Sequence, residues 1–399
     1  MVERGMMAVI DSTDHHGSHR DLLWESGPSA PWPAHAQVDA VIVPTVRQPA
    51  YLTNAASLAR QLDCTLVTLH SGRWTSAYAA ADRLPHDVRL IAIDVPDPSA
   101  LRLMDFETSR IVAGTPFVRR TDTSLKRNLA LMLSHLIGWR RIVFMDDDIR
   151  GPAAADLRRA ADLLSVYNAV GMSIGGFPDN SVVCHAYRAV GGRQDSFIGG
   201  GALAVETSRN RSFFPEIYNE DWFYLLDPVK GIQPLAVAGS VIQSAYDPFR
   251  NEERARNEEF GDVLAEGIFW LLDQGRSLQQ ADIGHWRDFL ARRRRFITQI
   301  LARVDEASVD DGQKKRISAA LRASLGRLSL IEPDWCQKYV HAWTADRHGW
   351  EHYLKGLRGT DSAESAVRSL SRRGIRPLTY VIRDALPERQ HTRAVPVTV

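Results

Sequence analysis

The stretch Arg140-Arg-Ile-Val-Phe-Met-Asp-Asp-Asp-Ile-Arg-Gly151 runs an apolar segment straight into three carboxylates. Adjacent like charges repel, and taking them out of water costs more. Asp146, Asp147 and Asp148 therefore call for a cation, a solvated loop, or both. The apolar residues 142–145 read as a buried strand, which puts the aspartates at its C-terminal end. In an extended segment residues i and i+2 point the same way. Asp146 and Asp148 can then address one ligand, with Asp147 turned aside to solvent or structure. Two hard oxygen donors with open positions suit Mg2+ or Mn2+, and such an ion neutralises charge developing on a diphosphate leaving group. An acidic loop or helix cap is the plainer reading of such a triplet, and the buried strand before it favours the metal.

The flanking sequence repeats one alternation. Val38-Asp-Ala-Val-Ile-Val43 is a short apolar run closed by Pro44, and residues 52–62 then carry apolar side chains at helical spacing. Residues 64–69 read as a strand, 74–84 as a helix, and 88–93 as a strand ending at Asp94. Thr121-Asp-Thr-Ser124 supplies an N-cap for a helix with Leu125, Leu129, Met132, Leu133 and Leu136 on one face, and Gly138 can close it. Strands alternating with helices imply an α/β fold, a Rossmann-like, mostly parallel sheet flanked by helices. Right-handed crossovers put the strand C-termini along one edge, where open α/β sheets bind ligands.

Three regions are expected. Residues 1–37 are turn-rich and read as a flexible tail. His15, His16 and His19 can bind metal, but the composition favours a solvated segment. Residues 38–275 carry the α/β pattern. Strand signals fade over 276–399, where 285–304, 312–330 and 335–357 read as amphipathic helices, and the run Arg292–Arg295 as a solvated helix face rather than a phosphate site.

Composition narrows the function classes. With 399 residues, 44% hydrophobic and 24% charged, the chain can bury a large core, and a net charge of +1 offers no basic field for nucleic acid. The three cysteines, Cys64, Cys184 and Cys336, are too far apart for a thiolate zinc motif and do not suggest a disulfide framework. No apolar run approaches the ~20 residues of a membrane span. The N-terminus has no apolar signal core, so a cytoplasmic location is expected. The excess of Arg over Lys hints at a GC-rich bacterial genome.

Four further clusters carry chemistry. Lys126-Arg-Asn128 puts cations on the first turn of a helix, against its dipole, which either marks a bound anion or leaves them simply exposed. Gly199-Gly-Gly201 removes side chains where a backbone passes a ligand, or forms a tight bend. Asn219-Glu-Asp-Trp222 offers Glu220 and Asp221 as a general base, with Trp222 or Tyr224 to stack on a sugar; a helix cap with core aromatics is the plainer reading. Gln243 and Asp247 follow the apolar run 235–242 and can reach a metal or phosphate, or close a turn.

Taken together and in order, these segments resemble the nucleotide-sugar-dependent glycosyltransferases of the GT-A fold, of the family-2-like, D-x-D type, over residues 38–275. The resemblance makes Val43-Pro-Thr-Val-Arg47 the opening strand and nucleotide-binding turn, so Pro44, Thr45 and Arg47 contact the donor. It makes Lys126 and Arg127 diphosphate partners, Asp146 and Asp148 the D-x-D ligands of Mn2+ or Mg2+, Gly200 and Gly201 part of the acceptor-side segment, and Asp221 with Glu220 the base pair of inverting members. Trp222 falls beside them. The acidic turn many members carry after the second strand is here Leu69-His-Ser-Gly72, and Asp94 can serve for base recognition instead. No histidine lies between His185 and His285, which leaves Gln243, Asp247 or water as a further metal ligand. The implied reaction is hexosyl transfer from a nucleoside diphosphate sugar to an acceptor hydroxyl, inversion favoured over retention. Rival readings are a sugar-1-phosphate nucleotidylyltransferase, disfavoured because Pro44–Pro49 lacks glycine, a haloacid-dehalogenase-like phosphatase, disfavoured by Arg150 in the motif, and a non-catalytic sugar-nucleotide-binding protein.

Overall fold

A computed structural model describes residues 14–25, 36–176, 181–195, 197–209, 211–372, 374 and 378–384. Its first half is the expected alternation. After a short strand β1 (Trp24–Glu25) come β2 (Ala40–Thr45), α1 (Thr53–Leu62), β3 (Thr65–His70), α2 (Ala77–Arg83) and β4 (Leu90–Asp94). Helices α3 (Glu107–Val112) and α4 (Thr123–Ile137) lead to β5 (Arg141–Met145), with Gly138 closing α4 at φ 88°, a conformation that glycine adopts without strain. Then follow β6 (Ile149–Arg150), α5 (Ala154–Leu163), β7 (Ala169–Gly176), α6 (Val182–Ala189), β8 (Ala202–Glu206) and α7 (Glu220–Leu225). A small hairpin, β9 (Leu226–Asp227) with β10 (Gly231–Ile232), precedes β11 (Leu235–Gln243). The remainder is helical, α8 (Glu252–Asp273), α9 (Ile283–Ala302), α10 (Asp311–Leu328), α11 (Pro333–Gly356) and α12 (Ala363–Ser369), until a last strand, β12 (Thr379–Arg383).

Among the described residues, ten strands share one sheet in the order β1-β11-β7-β8-β5-β2-β3-β4-β12, with β6 on β11. The pairs β2–β3, β3–β4, β2–β5, β7–β11 and β1–β11 are parallel, while β8 runs antiparallel between β5 and β7. This is the mostly parallel α/β sheet that the apolar runs imply. Alternate residues of β2 serve opposite faces: Ala40 and Ile42 join one core with α4 and the C-terminal helices, Val41 and Val43 a second core with α1, α2 and α5. Both faces are covered, which is why the strands read as continuous apolar runs.

Two features depart from the sequence reading. Strand β2 continues through Pro44 to Thr45 instead of ending there. Its ladder to β5 covers Ala40–Ile42, so the proline lies beyond the pairs that would need its missing N–H on that side. The segment 14–25, expected as solvated tail, is packed. His19 is buried, His15 stacks on Phe296 at 4.0 Å, and β1 adds a parallel strand to β11. Its partners, from Tyr167 onward, lie far away in the chain, so no local periodicity announces it. At the opposite edge β12, from the region expected to be helical, runs antiparallel to β4. Among the described residues no helix is long and apolar enough to cross a membrane.

Candidate active site

The sheet changes its winding direction at β2: β3 and β4 lie on one side, β5 on the other. A crevice opens at such a point beyond the strand C-termini. Here β2 and β5 are paired through Ile42 and Phe144, and past those residues they deliver Thr45 and Arg47 on one side and the three aspartates on the other.

The aspartates divide, but in a turn and not in extended chain: β5 ends at Met145, and the Ile149 N–H donates to the Asp146 carbonyl at 3.2 Å. Asp147 turns toward β2, where the Thr45 hydroxyl donates to it at 2.6 Å and Arg47 pairs with it. Asp146 and Asp148 line a cavity of about 190 Å3 on the other side. Arg47 also donates to Asp148 at 3.2 Å, and Arg127 to Asp146 at 2.9 Å. Burial, followed by the charge of Asp146, raises the pKa of Asp148, and Arg47 opposes this.

Across the cavity stand Glu220 and Asp221, at the start of α7. Asn219 holds a left-handed backbone, φ 60°, which asparagine tolerates better than most residues, and its amide donates to Asp262 at 3.1 Å. This turn aims adjacent side chains at different surroundings. Glu220 is buried between Arg119 and Arg127, the latter at 2.7 Å. Despite burial these guanidinium groups hold its pKa below the usual value, so Glu220 is a fixed anion. Among the described residues no arginine is bonded to Asp221. It accepts from the Gly200 N–H at 2.6 Å and the Trp222 N–H at 2.9 Å. Burial first, then the neighbouring charge of Glu220, push its pKa up to about 6. A carboxylate with that value is suited to take a proton near neutral pH.

The three glycines have distinct neighbours. A Cβ on Gly199 would meet the Asp221 carboxylate at 2.9 Å, one on Gly200 the Arg127 guanidinium at 2.4 Å, and one on Gly201 the Asp146 carboxylate at 3.2 Å. The segment is therefore bare because charged side chains fill the space beside it. It also carries Asp146, whose N–H donates to the Gly201 carbonyl at 2.9 Å.

Lys126 and Arg127 are not exposed, although they sit on the first turn of α4. That helix is buried almost throughout, with α12 packed on it. Lys126 Nζ donates to Thr45 O at 2.9 Å and Ser71 Oγ at 2.7 Å and pairs with Asp122 at 3.0 Å, which occupies its three protons. It braces the β2 end. Arg127 ties Asp146 to Glu220 and is the one of the two that lines the cavity.

Other expected residues separate similarly. Trp222 lines the cavity, backed by Phe197 and Phe269, whereas Tyr224 is buried in a stack on Phe214 at 4.2 Å and faces no ligand space. Gly201 lines the cavity and Gly200 only backs it through Arg127. Pro44 is a buried strand residue. Asp94 accepts from the Ala77 N–H at 2.6 Å at the start of α2, away from the cavity. Asp247 pairs loosely with Arg316 at 3.8 Å, also away from it. Arg119 was not singled out from the sequence; the Arg119-Arg120 pair just before the N-cap of α4 is its only local signal.

The donor set fits a hard divalent ion. Asp146 and Asp148 reach the cavity together, and Gln243, at the end of β11, brings to the same cavity a buried amide oxygen with no hydrogen-bond partner among the described residues. Carboxylate and amide oxygens are the ligands that Mg2+ and Mn2+ take.

No protein-family model and no curated protein sequence matches the chain. Among solved structures, a mannosyltransferase from Pyrobaculum calidifontis in complex with GDP-Man and Mn2+ aligns at 16% identity and a TM-score of 0.40, covering 83% of this chain and 92% of its own. A putative nucleotide-diphospho-sugar transferase from Desulfovibrio desulfuricans G20 aligns at 10% identity and a TM-score of 0.28, covering 63% of this chain and 99% of its own.

Proposed function

We propose that the protein is a metal-dependent glycosyltransferase that moves a hexosyl group from a nucleoside diphosphate sugar to an acceptor hydroxyl with inversion. One observation carries this reading: a carboxylate tuned to about 6, Asp221, shares a cavity with the paired carboxylates of Asp146 and Asp148. A site of this kind needs one pole for a departing anion and another for a proton, and the two poles belong on opposite walls.

Asp146 and Asp148, with Gln243, would hold Mn2+ or Mg2+, which when bound supplies positive charge for the diphosphate. Arg47 and Arg127 add fixed cations at that wall. On the other wall Asp221 accepts the proton of the acceptor hydroxyl. The hydroxyl oxygen attacks the anomeric carbon, the bond to the diphosphate oxygen breaks, and configuration inverts. Glu220 holds Arg119 and Arg127 in place and, through its charge, keeps Asp221 basic. Trp222 supplies an apolar wall against which a sugar face can lie. Residues 38–275 would house this chemistry, with 276–399 as a helical region supporting α4 and α8. Lys126 acts by bracing Thr45, not by meeting phosphate.

The test is calorimetric titration with UDP-, GDP- and dTDP-sugars in Mn2+ or Mg2+, followed by donor hydrolysis. One nucleotide class should bind, and Asp148→Ala should weaken metal-dependent binding by ~10²-fold or more, the scale on which removing one preorganised charge acts. No binding of any donor, or undiminished binding by the variant, rejects the reading. Binding without turnover points instead to a non-catalytic sugar-nucleotide-binding protein.

A further inference from the structure

The packed N-terminal segment brings a second group of ligating atoms together. His16 and His19 stack with ring centroids 4.7 Å apart and planes 16° from parallel, over Asp273 at the end of α8. His16 Nε2 lies 3.2 Å from Asp273 Oδ2, and His19 Nδ1 contacts the same oxygen. One ligand atom from each of the three lies within 4.8 Å of the others. The remaining nitrogen of His19, Nε2, faces Glu266 Oε2 at 3.2 Å. His16 Nδ1 is buried and has no hydrogen-bond partner among the described residues.

We infer that His16, His19 and Asp273 form a second metal site, for a zinc-class divalent ion. The donor set is two imidazoles and one carboxylate, the chemistry of Zn2+, Co2+ or Ni2+, and unlike the all-oxygen set at the aspartates. The 3.2 Å between His16 Nε2 and Asp273 Oδ2 is what bonds of about 2.0–2.2 Å around a tetrahedral ion require, and His19 Nδ1, which contacts Asp273 directly, must draw back to admit the ion. Glu266 is placed as metal-bound histidines demand: a carboxylate on the far ring nitrogen orients the imidazole and raises its basicity. A dication also balances the charges of Asp273 and Glu266 with both rings neutral. The His19 and Asp273 side chains are 2% and 7% exposed and the His16 side chain 32%, so an ion enters, and keeps a water, on the His16 side.

Such an ion joins residues 14–25 to α8. It also fixes the His19 ring, whose centroid lies 5.3 Å from that of Trp222 in the cavity wall. The site is independent of the donor-binding reading, since none of its three ligands lines the cavity.

The test uses the full chain, stripped with chelator, exposed to ZnCl2 or CoCl2 and desalted before elemental analysis. Wild type should retain one equivalent, shift its Tm upward, and with Co2+ show the visible absorption of a nitrogen-ligated tetrahedral site. His16→Ala, which changes a partly exposed side chain, should leave the metal-free Tm near that of wild type and abolish retention. Glu266→Gln should weaken affinity by ~10–100-fold. Asp148→Ala should retain the zinc. The inference is overturned if wild type retains no metal, if His16→Ala retains as much as wild type, or if retention follows Asp148 instead.

Discussion

Two acidic pairs face each other across one cavity, and their treatment differs. At the end of β5, Asp146 and Asp148 each have an arginine, and Asp147 is withdrawn to Thr45 and Arg47. At the start of α7, Glu220 takes both nearby arginines and, among the described residues, Asp221 receives only backbone N–H donors. The first arrangement keeps anions available to a cation. The second uses one anion to raise the proton affinity of its neighbour. Adjacent residues of the same chemical type thus acquire opposite tasks from where the guanidinium groups sit.

That contrast can be broken at several points. Asp221→Asn removes the proton acceptor and keeps the shape, and its single amide oxygen can keep one of the two backbone hydrogen bonds. Turnover should fall by ~10²–10⁴-fold, the usual contribution of a general base, with donor affinity nearly unchanged in titration calorimetry. Normal turnover would remove Asp221 from the mechanism.

Arg127→Met removes the link between the walls. Cutting one partner from a buried ion pair costs ~3–5 kcal/mol, and about 3 is expected here because Glu220 keeps Arg119 and Asp146 is partly exposed. Urea unfolding measures this, and a loss under about 1 kcal/mol, the scale of an exposed pair, would show that the bridge is not structural.

The smallest effect sharpens the division of roles. The raised pKa of Asp221 means that the folded state holds this proton more tightly than the unfolded chain. Its contribution to stability is present below the ordinary aspartate value and is lost as pH rises through about 6. Wild type should therefore lose stability relative to Asp221→Asn over that window. In turnover, the rate should rise with pH through about 6 in wild type, and Glu220→Gln should move that limb to lower pH by removing the neighbouring charge. An unmoved limb would mean that burial alone sets the value.

Much of the sheet was legible because its signals are local. Residues 142–145 are apolar without interruption, and the strand occupies those positions together with Arg141 before them. Gly138 marked the end of α4 for the same reason. The separation of Asp147 from Asp146 and Asp148 was expected from strand alternation, but a turn after Met145 produces it. The first turn of α4 was not legible. Lys126 and Arg127 look exposed in a one-face pattern, yet the helix is enclosed and both cations are spent on acceptors distant in sequence. Asp94, read as a donor contact, accepts instead from the Ala77 N–H at the start of α2.

The sequence by itself determined the alternation of strands and helices, the edge where the aspartates emerge, and which residue types reach it. Those follow from apolar periodicity and side-chain direction, which involve neighbours a few residues apart. Only the tertiary structure decided which charges are free to act. Arg119 and Arg127 converge on Glu220 and leave Asp221 unpaired, and His16 and His19 meet Asp273 across more than 250 residues. A pKa or a ligand set depends on burial and on charges within a few ångströms, and those distances exist only once the chain has folded.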